Sequence, residues 1–298
     1  MFKKGVLFGV GAYLIWGFFP LYFKLLQEVP ALQIMFHRMV WSFLFLMLLV
    51  FLKQDWAGLK VQLTRPRVLL VYAVSGGLLS MNWFVYIWGV NSGHVVETSL
   101  GYFINPLVSV LLGVVFLRER LRTMQWVPVG LAAAGVVYLT IEYGALPWIA
   151  LALAFSFGMY GLVKKISPLG AFHGLTLETG IIFLPALIYL LYIQSQGSGF
   201  FGNSPVHISL LLALSGLVTA LPLLMFGSAA RTIPLSMVGI LQYIAPTCQF
   251  LLGVFVFGEP FTAIQLVGFA AIWIALGIYS LEGLLVRRAS ATAPIPAD

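Results

Sequence analysis

Apolar residues run along this chain in long unbroken blocks, separated by short polar connections. Ten blocks stand out, at approximately 5–26, 31–52, 68–90, 95–117, 124–141, 145–163, 172–193, 207–227, 234–257 and 261–284. A helix needs about 20 apolar residues to cross the roughly 30 Å hydrocarbon core of a bilayer. Only helices and closed barrels satisfy every backbone polar group inside lipid, and blocks of this length predict helices. The pattern therefore predicts an all-α integral membrane protein with ten transmembrane helices.

Composition agrees. The chain has 298 residues, of which 61% are hydrophobic and 8% charged. A soluble domain carries about 25% charged residues, so this chain has too few to cover its surface in water. The first block follows Met1-Phe2-Lys3-Lys4, is long, and has no small-x-small cleavage site, so it is read as a retained helix. The single cysteine, Cys248, rules out an intrachain disulfide.

The net charge of +7 invites a nucleic-acid reading, but its distribution excludes it. With ten spans, successive loops alternate sides. Fourteen of the 16 basic residues, among them Lys3, Lys53, Arg118, Arg120, Lys164, Lys165 and Arg287, fall on one set of alternate loops and termini. Lys24 and Arg38 are the exceptions. The positive-inside rule then places both termini in the cytoplasm. The longest outer connection, residues 194–207, is rich in Gly and Ser, and the small, Pro-containing tail 287–298 is expected to be disordered. The loops leave no room for a soluble catalytic domain.

The chain also repeats itself. Shifted by 140 positions, Ile104, Pro106, Leu111, Leu112, Gly113, Val114, Glu119, Gln125 and Val127 recur as Ile244, Pro246, Leu251, Leu252, Gly253, Val254, Glu259, Gln265 and Val267. Two five-helix repeats follow, 1–143 and 144–286. Five is odd, so the second repeat enters from the opposite side. The charges agree, because "RERLR" (118–122) is answered by "GEPFT" (258–262), which has lost every Arg. Inverted repeats are a construction of secondary transporters, with the solute site near mid-membrane between the halves.

Polar groups inside the apolar blocks mark candidate sites, because an intramembrane charge costs several kcal/mol or more. Arg38 lies about 12 Å below the outer end of its block, at about 1.5 Å per residue. His37 is adjacent and points about 100° away. Glu178 stands at Arg38 plus 140, so opposite charges occupy equivalent positions of the two halves. They either pair across the pseudo-symmetry axis or flank one cavity, and a structural ion pair is the plain alternative. Glu97, Gly101, Asn105, Ser109 and Gly113 form a small, polar stripe at four-residue spacing, which reads either as a tight helix contact or as a solute-facing surface. Tyr102 and Asn105 lie deeper than Glu97, which sits near the outer mouth as a candidate gate. Asn82, Trp83 and Tyr86 on the preceding block, and Gln242 and Tyr243 beside Pro246, supply the aromatics and placed polar groups of a small-molecule pocket. Trp16 and Pro20 predict a kink in the first helix. Arg38, Asn82, Trp83, Tyr86, Tyr102, Asn105, Glu178, Gln242 and Tyr243 are thus the candidate solute-binding residues. Glu97, Glu178 and His37 are the candidates for gating or proton coupling. No metal-ligand, nucleophile–base or phosphate-cradling motif appears, so no cofactor or enzymatic activity is expected.

The string "NWFVYIWGVNSGHVVETSLGYFINPL" (82–107), with "FHRMVWS" (36–42) and "LETG…LP" (177–185), resembles the RarD branch of the EamA-type drug/metabolite transporters. The resemblance spans nearly the whole chain, and its motifs fall on Arg38, on Asn82 to Pro106 and on Glu178. It implies a permease of a bacterial inner membrane that moves small organic solutes by alternating access, with or without coupling to an ion or proton gradient. A channel or facilitator pore is the alternative. Monomer and dimer both stay open, and the implied partners are a small solute and the lipid bilayer.

Overall fold

The computed structural model describes residues 2–56, 65–91, 95–143, 148–256, 258, 266–268, 270–271, 273–275, 277–278 and 281–282. Within the helices a few side chains, Glu97 among them, lie outside the description. Every regular element among the described residues is helical: α1 (Phe2–Gly17), α2 (Phe19–Lys24), α3 (Ala31–Leu52), α4 (Pro66–Asn91), α5 (Val95–Leu117), α6 (Trp126–Tyr143, entered through the 3-10 turn Thr123–Gln125), α7 (Trp148–Ile166), α8 (Ala171–Ser195), α9 (Val206–Thr232), α10 (Leu235–Gln242) and α11 (Ile244–Phe255). Among the described residues six stretches are long and apolar enough to cross a membrane: Phe2–Lys24, Ala31–Leu52, Pro66–Tyr86, Trp148–Ile166, Ala171–Ser195 and Val206–Thr232. Most of the tenth predicted block, and "GEPFT" beyond Gly258, lie outside the described residues, as does the 287–298 tail.

Two predicted spans are broken, and proline explains both breaks. Proline lacks an N–H and its ring clashes with the carbonyl four residues back. Pro20 acts on Trp16, and α1 ends one residue later at Gly17. The Trp16 carbonyl then accepts the side-chain amide of Gln249 at 3.0 Å. Pro246 acts on Gln242, the last residue of α10. The block expected as one helix over 234–257 is therefore two. Pro106, the counterpart of Pro246, is accommodated inside α5.

Helix starts recur at the 140-residue interval. Ala31 of α3 answers Ala171 of α8, Pro66 of α4 answers Val206 of α9, and Val95 of α5 answers Leu235 of α10. Helix pairings exchange under the same shift. α3 packs on α9 as α8 packs on α4, α1 on α9 as α7 on α4, and α5 on α7 as α11 on α1. α3 also packs on its own counterpart α8, and α5 on α10. At that last contact the Tyr243 hydroxyl donates to the carbonyl of Phe103, its own equivalent, at 3.3 Å.

Lipid offers no hydrophobic drive between helices, so close approach depends on small residues. A Cβ on Gly239 of α10 would stand 2.6 Å from the Pro106 carbonyl of α5. A Cβ on Gly216 of α9 would fall on the Trp41 carbonyl of α3. The stripe predicted on α5 is a packing surface of this kind. Gly101 lies against the Ala150 backbone of α7, with Cβ distances of 3.0–3.1 Å, while Gly113 faces Glu119 and Ser236. Glu119 in turn caps α10, accepting the Leu235 and Ser236 amides at 2.6 and 3.0 Å and the Ser236 hydroxyl at 2.7 Å. These amides are donors that a helix start leaves without partners, and a carboxylate there is favoured by the helix dipole.

Lys164 and Lys165, expected on a loop, instead form the last turn of α7. Lys164 is 2% exposed. Lys165 donates to the Ala230 and Ile233 carbonyls at 3.2 and 2.6 Å. The reason is that α7 continues past residue 163, where the apolar block ended, to Ile166.

The packing gives a direct test. Gly216→Ala should destabilise the detergent-solubilised protein by about 1–3 kcal/mol, the cost of overpacking. Gly77→Ala, with nothing within 4 Å of its Cβ, should be neutral or stabilise by up to about 1 kcal/mol. Melting temperatures of the two variants check this, and equal melting points would contradict the close α3–α9 contact.

Candidate functional site

A cavity of about 220 Å³ opens between the two halves of the chain. From the first half come Tyr13 and Trp16 of α1, Pro20 and Phe23 of α2, Arg38 of α3, Asn82, Trp83 and Tyr86 of α4, and Tyr102 of α5. From the second come Phe157, Thr219, Gln242 and Gln249. The broken helices deliver several of these groups, since a helix interrupted near mid-membrane exposes side chains and carbonyls that a straight one would bury.

Arg38 is the charged group of the cavity. Its Nε donates to the Thr219 hydroxyl at 2.8 Å. The guanidinium lies 4.5 Å from the centroid of the Trp83 ring, 5.3 Å from Phe23 and 5.6 Å from Phe19. Such contacts stabilise a desolvated cation by up to about 2 kcal/mol each. Among the described residues no carboxylate lies within 4 Å of it. Tyr86 and Tyr102 meet edge-on with ring centroids 5.6 Å apart. Asn82 donates its amide to the Leu153 carbonyl and the Ser156 hydroxyl, both at 2.9 Å, which leaves its carbonyl oxygen as the free acceptor.

Glu178 does not meet Arg38 and does not line this cavity. Its carboxylate pairs with Lys164 Nζ at 2.6 Å, the two side chains being 1% and 3% exposed. The Ser75 hydroxyl donates to the other carboxylate oxygen, and the Tyr160 hydroxyl approaches at 3.5 Å. Of the two arrangements open from sequence, cross-axis pairing or a shared cavity, neither is present. The acid found a nearer base on the preceding helix.

The remaining candidates divide. Arg38, Asn82, Trp83, Tyr86, Tyr102 and Gln242 come together around one cavity. Tyr243 is buried behind it, its hydroxyl held by Phe103. Asn105 is 1% exposed, does not line the cavity, and its side-chain oxygen has no hydrogen-bond partner among the described residues. His37 is buried away from the cavity, its ring 5.4 Å from that of Phe201. Glu97 sits in the first turn of α5, its side chain outside the description. Sequence reading missed Tyr13, Phe157 and Thr219, which look like ordinary span residues. It also missed Lys164 as the partner of Glu178. The signal for Lys164 was present, since an intramembrane acid demands a partner.

Taken together, the fold and cavity define a multi-pass helical membrane protein with a cavity between its helices. The first 3–141 residues match the model of the EamA-like transporter family. Protein RarD of Streptomyces exfoliatus is 48% identical over 97% of this chain and 91% of its own. An uncharacterized transporter, YojE, of Bacillus subtilis is 48% identical over 97% of each chain. A solved crystal structure, 19% identical, superposes with a TM-score of 0.69 over 94% of this chain and 98% of that one, a likeness of fold alone. The chain belongs to the EamA-like transporter family, in its RarD branch. It is accordingly a multi-pass bacterial membrane transporter of small solutes.

The buried pair yields a second test. Removing one partner strands a charge in low dielectric, at a cost of about 3–5 kcal/mol, whereas replacing both with apolar groups is near neutral. Glu178→Leu and Lys164→Met should each lower the melting temperature sharply, and the double variant should recover most of the loss. Additive losses in the double variant would show that the two charges are not coupled.

Proposed function

We propose that this protein is a secondary active transporter that moves small organic solutes by alternating access. In this reading its two halves, 1–143 and 144–286, are inverted five-helix repeats, ten spans in all, with both termini in the cytoplasm. The observation that carries the reading is the cavity between the halves, centred on Arg38, a charged group at membrane depth with no protein counterion among the described residues. An intramembrane ionisable group facing a cavity is a mark of a transport pathway. Further support comes from the recurrence of helix starts at 140 residues, the exchange of helix pairings under that shift, and the helix breaks beside the cavity. Alternating access then takes the form of one half rocking on the other about the fixed site.

In this mechanism the Glu119 cap on α10 joins the halves at the "RERLR" end. In one state the cap closes that end, and it releases α10 when the site opens there. The aromatic wall shields the solute from lipid during the exchange. Arg38 and the acceptors of Asn82 and Gln249 orient it.

Purified protein in liposomes should show saturable solute uptake with counterflow, lost in Arg38→Gln and without single-channel conductance. Conductance in place of counterflow would replace the transporter with a pore. Topology is checked separately. With Cys248 replaced, cysteines at 120 and 261 should label from opposite faces of sealed cells, and labelling from one face would break the inverted-repeat reading.

A further inference from the structure

The cavity also carries information about the charge of what it holds. Four of the five N–H donors of a guanidinium lie on its two terminal nitrogens. In Arg38 the fifth, on Nε, is taken by Thr219 at 2.8 Å, and the Trp83 ring lies 4.5 Å away. Among the described residues Nη1 and Nη2 donate to no protein acceptor. A hydrogen bond on Nε and a ring beside the group together fix its plane, so its outer edge is a pre-set fork. Planar two-point recognition of this kind suits a carboxylate, for which Arg is the preferred residue.

The surroundings narrow the class further. The walls are aromatic, with Tyr13, Trp16, Phe157 and Tyr102 around the space. Rings of this kind accept a flat apolar body. The volume of about 220 Å³ is below that of pockets for drug-sized ligands and favours a small body. No acid within 4 Å of Arg38 among the described residues competes for the fork. Glu178, the acid at the equivalent position of the other half, is neutralised by Lys164 at 2.6 Å. Among the described residues the site therefore presents one net positive charge to its occupant.

We infer that the solute bound at Arg38 is a small organic carboxylate with a flat, apolar or aromatic body, held by the guanidinium edge and stacked among the cavity rings. This deepens the transporter reading and rests on the same cavity. An anionic solute neutralises Arg38 on arrival. Loading therefore lowers the electrostatic cost of moving the site through the closed state, and the empty carrier keeps its charge.

The test compares phenylacetate, phenylacetamide and phenethylamine, which share one ring and differ in charge. Phenylacetate should raise the melting temperature of the purified protein, and the neutral amide and the cationic amine should not. Arg38→Gln should weaken phenylacetate binding by about 30-fold or more, the loss typical of truncating one partner of a buried charge pair. Arg38→Lys, which keeps the charge and loses the fork, should fall between. If Arg38→Gln does not fold, Trp83→Leu should still weaken phenylacetate by about tenfold, by removing the ring that stabilises the cation. Stronger binding of the amide or amine, no shift with phenylacetate, or a shift that survives Arg38→Gln unchanged each overturns the inference. Uptake separates it from the transporter reading. Phenylacetate that binds through Arg38 but shows no counterflow keeps the carboxylate site and removes transport. Counterflow of a neutral or cationic solute in both the parent protein and Arg38→Gln keeps transport and removes the carboxylate.

Discussion

A permanent positive charge held inside hydrocarbon organises this molecule. Arg38 stands deep in α3, where an unsolvated cation costs several kcal/mol or more. The protein offsets that cost with three aromatic rings, one hydroxyl and an open cavity and, among the described residues, not with an acid. Each of these supports has its own requirement. The rings of Phe19 and Phe23 reach Arg38 because α1 breaks and α2 restarts at Phe19. Thr219 reaches it because α9 lies close to α3, and that closeness depends on Gly216.

Glu178 is the instructive contrast. It occupies the position equivalent to Arg38 in the second half, on a helix that starts at the equivalent residue. Its charge is neutralised by Lys164, and its oxygens accept from the Ser75 and Tyr160 hydroxyls, within a buried contact of α7, α8 and α4. A paired buried charge adds little net stability but is costly to break. The pair therefore fastens α7 to α8, while Arg38, without a counterion among the described residues, faces the cavity.

Helix breaks and close contacts share a physical origin. In lipid every freed backbone carbonyl must find a donor. The Trp16 carbonyl, displaced by Pro20, takes the amide of Gln249, which ties the first break to α11 in the other half. Phe103 and Tyr243, equivalent residues, touch across the α5–α10 contact. Glu119 closes the same interface at its end by capping α10. The surfaces that would move in a rocking mechanism thus combine glycine contacts and a few polar links with a shared apolar core.

Much of this was legible without coordinates. Block length and low charge determined the helical membrane class, because hydrocarbon permits no other use of such runs. The 140-residue recurrence pointed to two five-helix repeats, and Pro20 marked the kink. Arg38, Asn82, Trp83, Tyr86, Tyr102 and Gln242 stood out as polar or aromatic groups in apolar spans, and they meet around one cavity. What only the tertiary structure decided is which side each polar group faces. Asn105 and Tyr102 lie on one helix, yet Tyr102 opens to the cavity and Asn105 is sealed against neighbours. Helical spacing gives relative direction around an axis, not the identity of the facing helix. For the same reason Glu178 could be seen to need a partner, but not that Lys164, at the far end of the preceding span, would be the one to reach it.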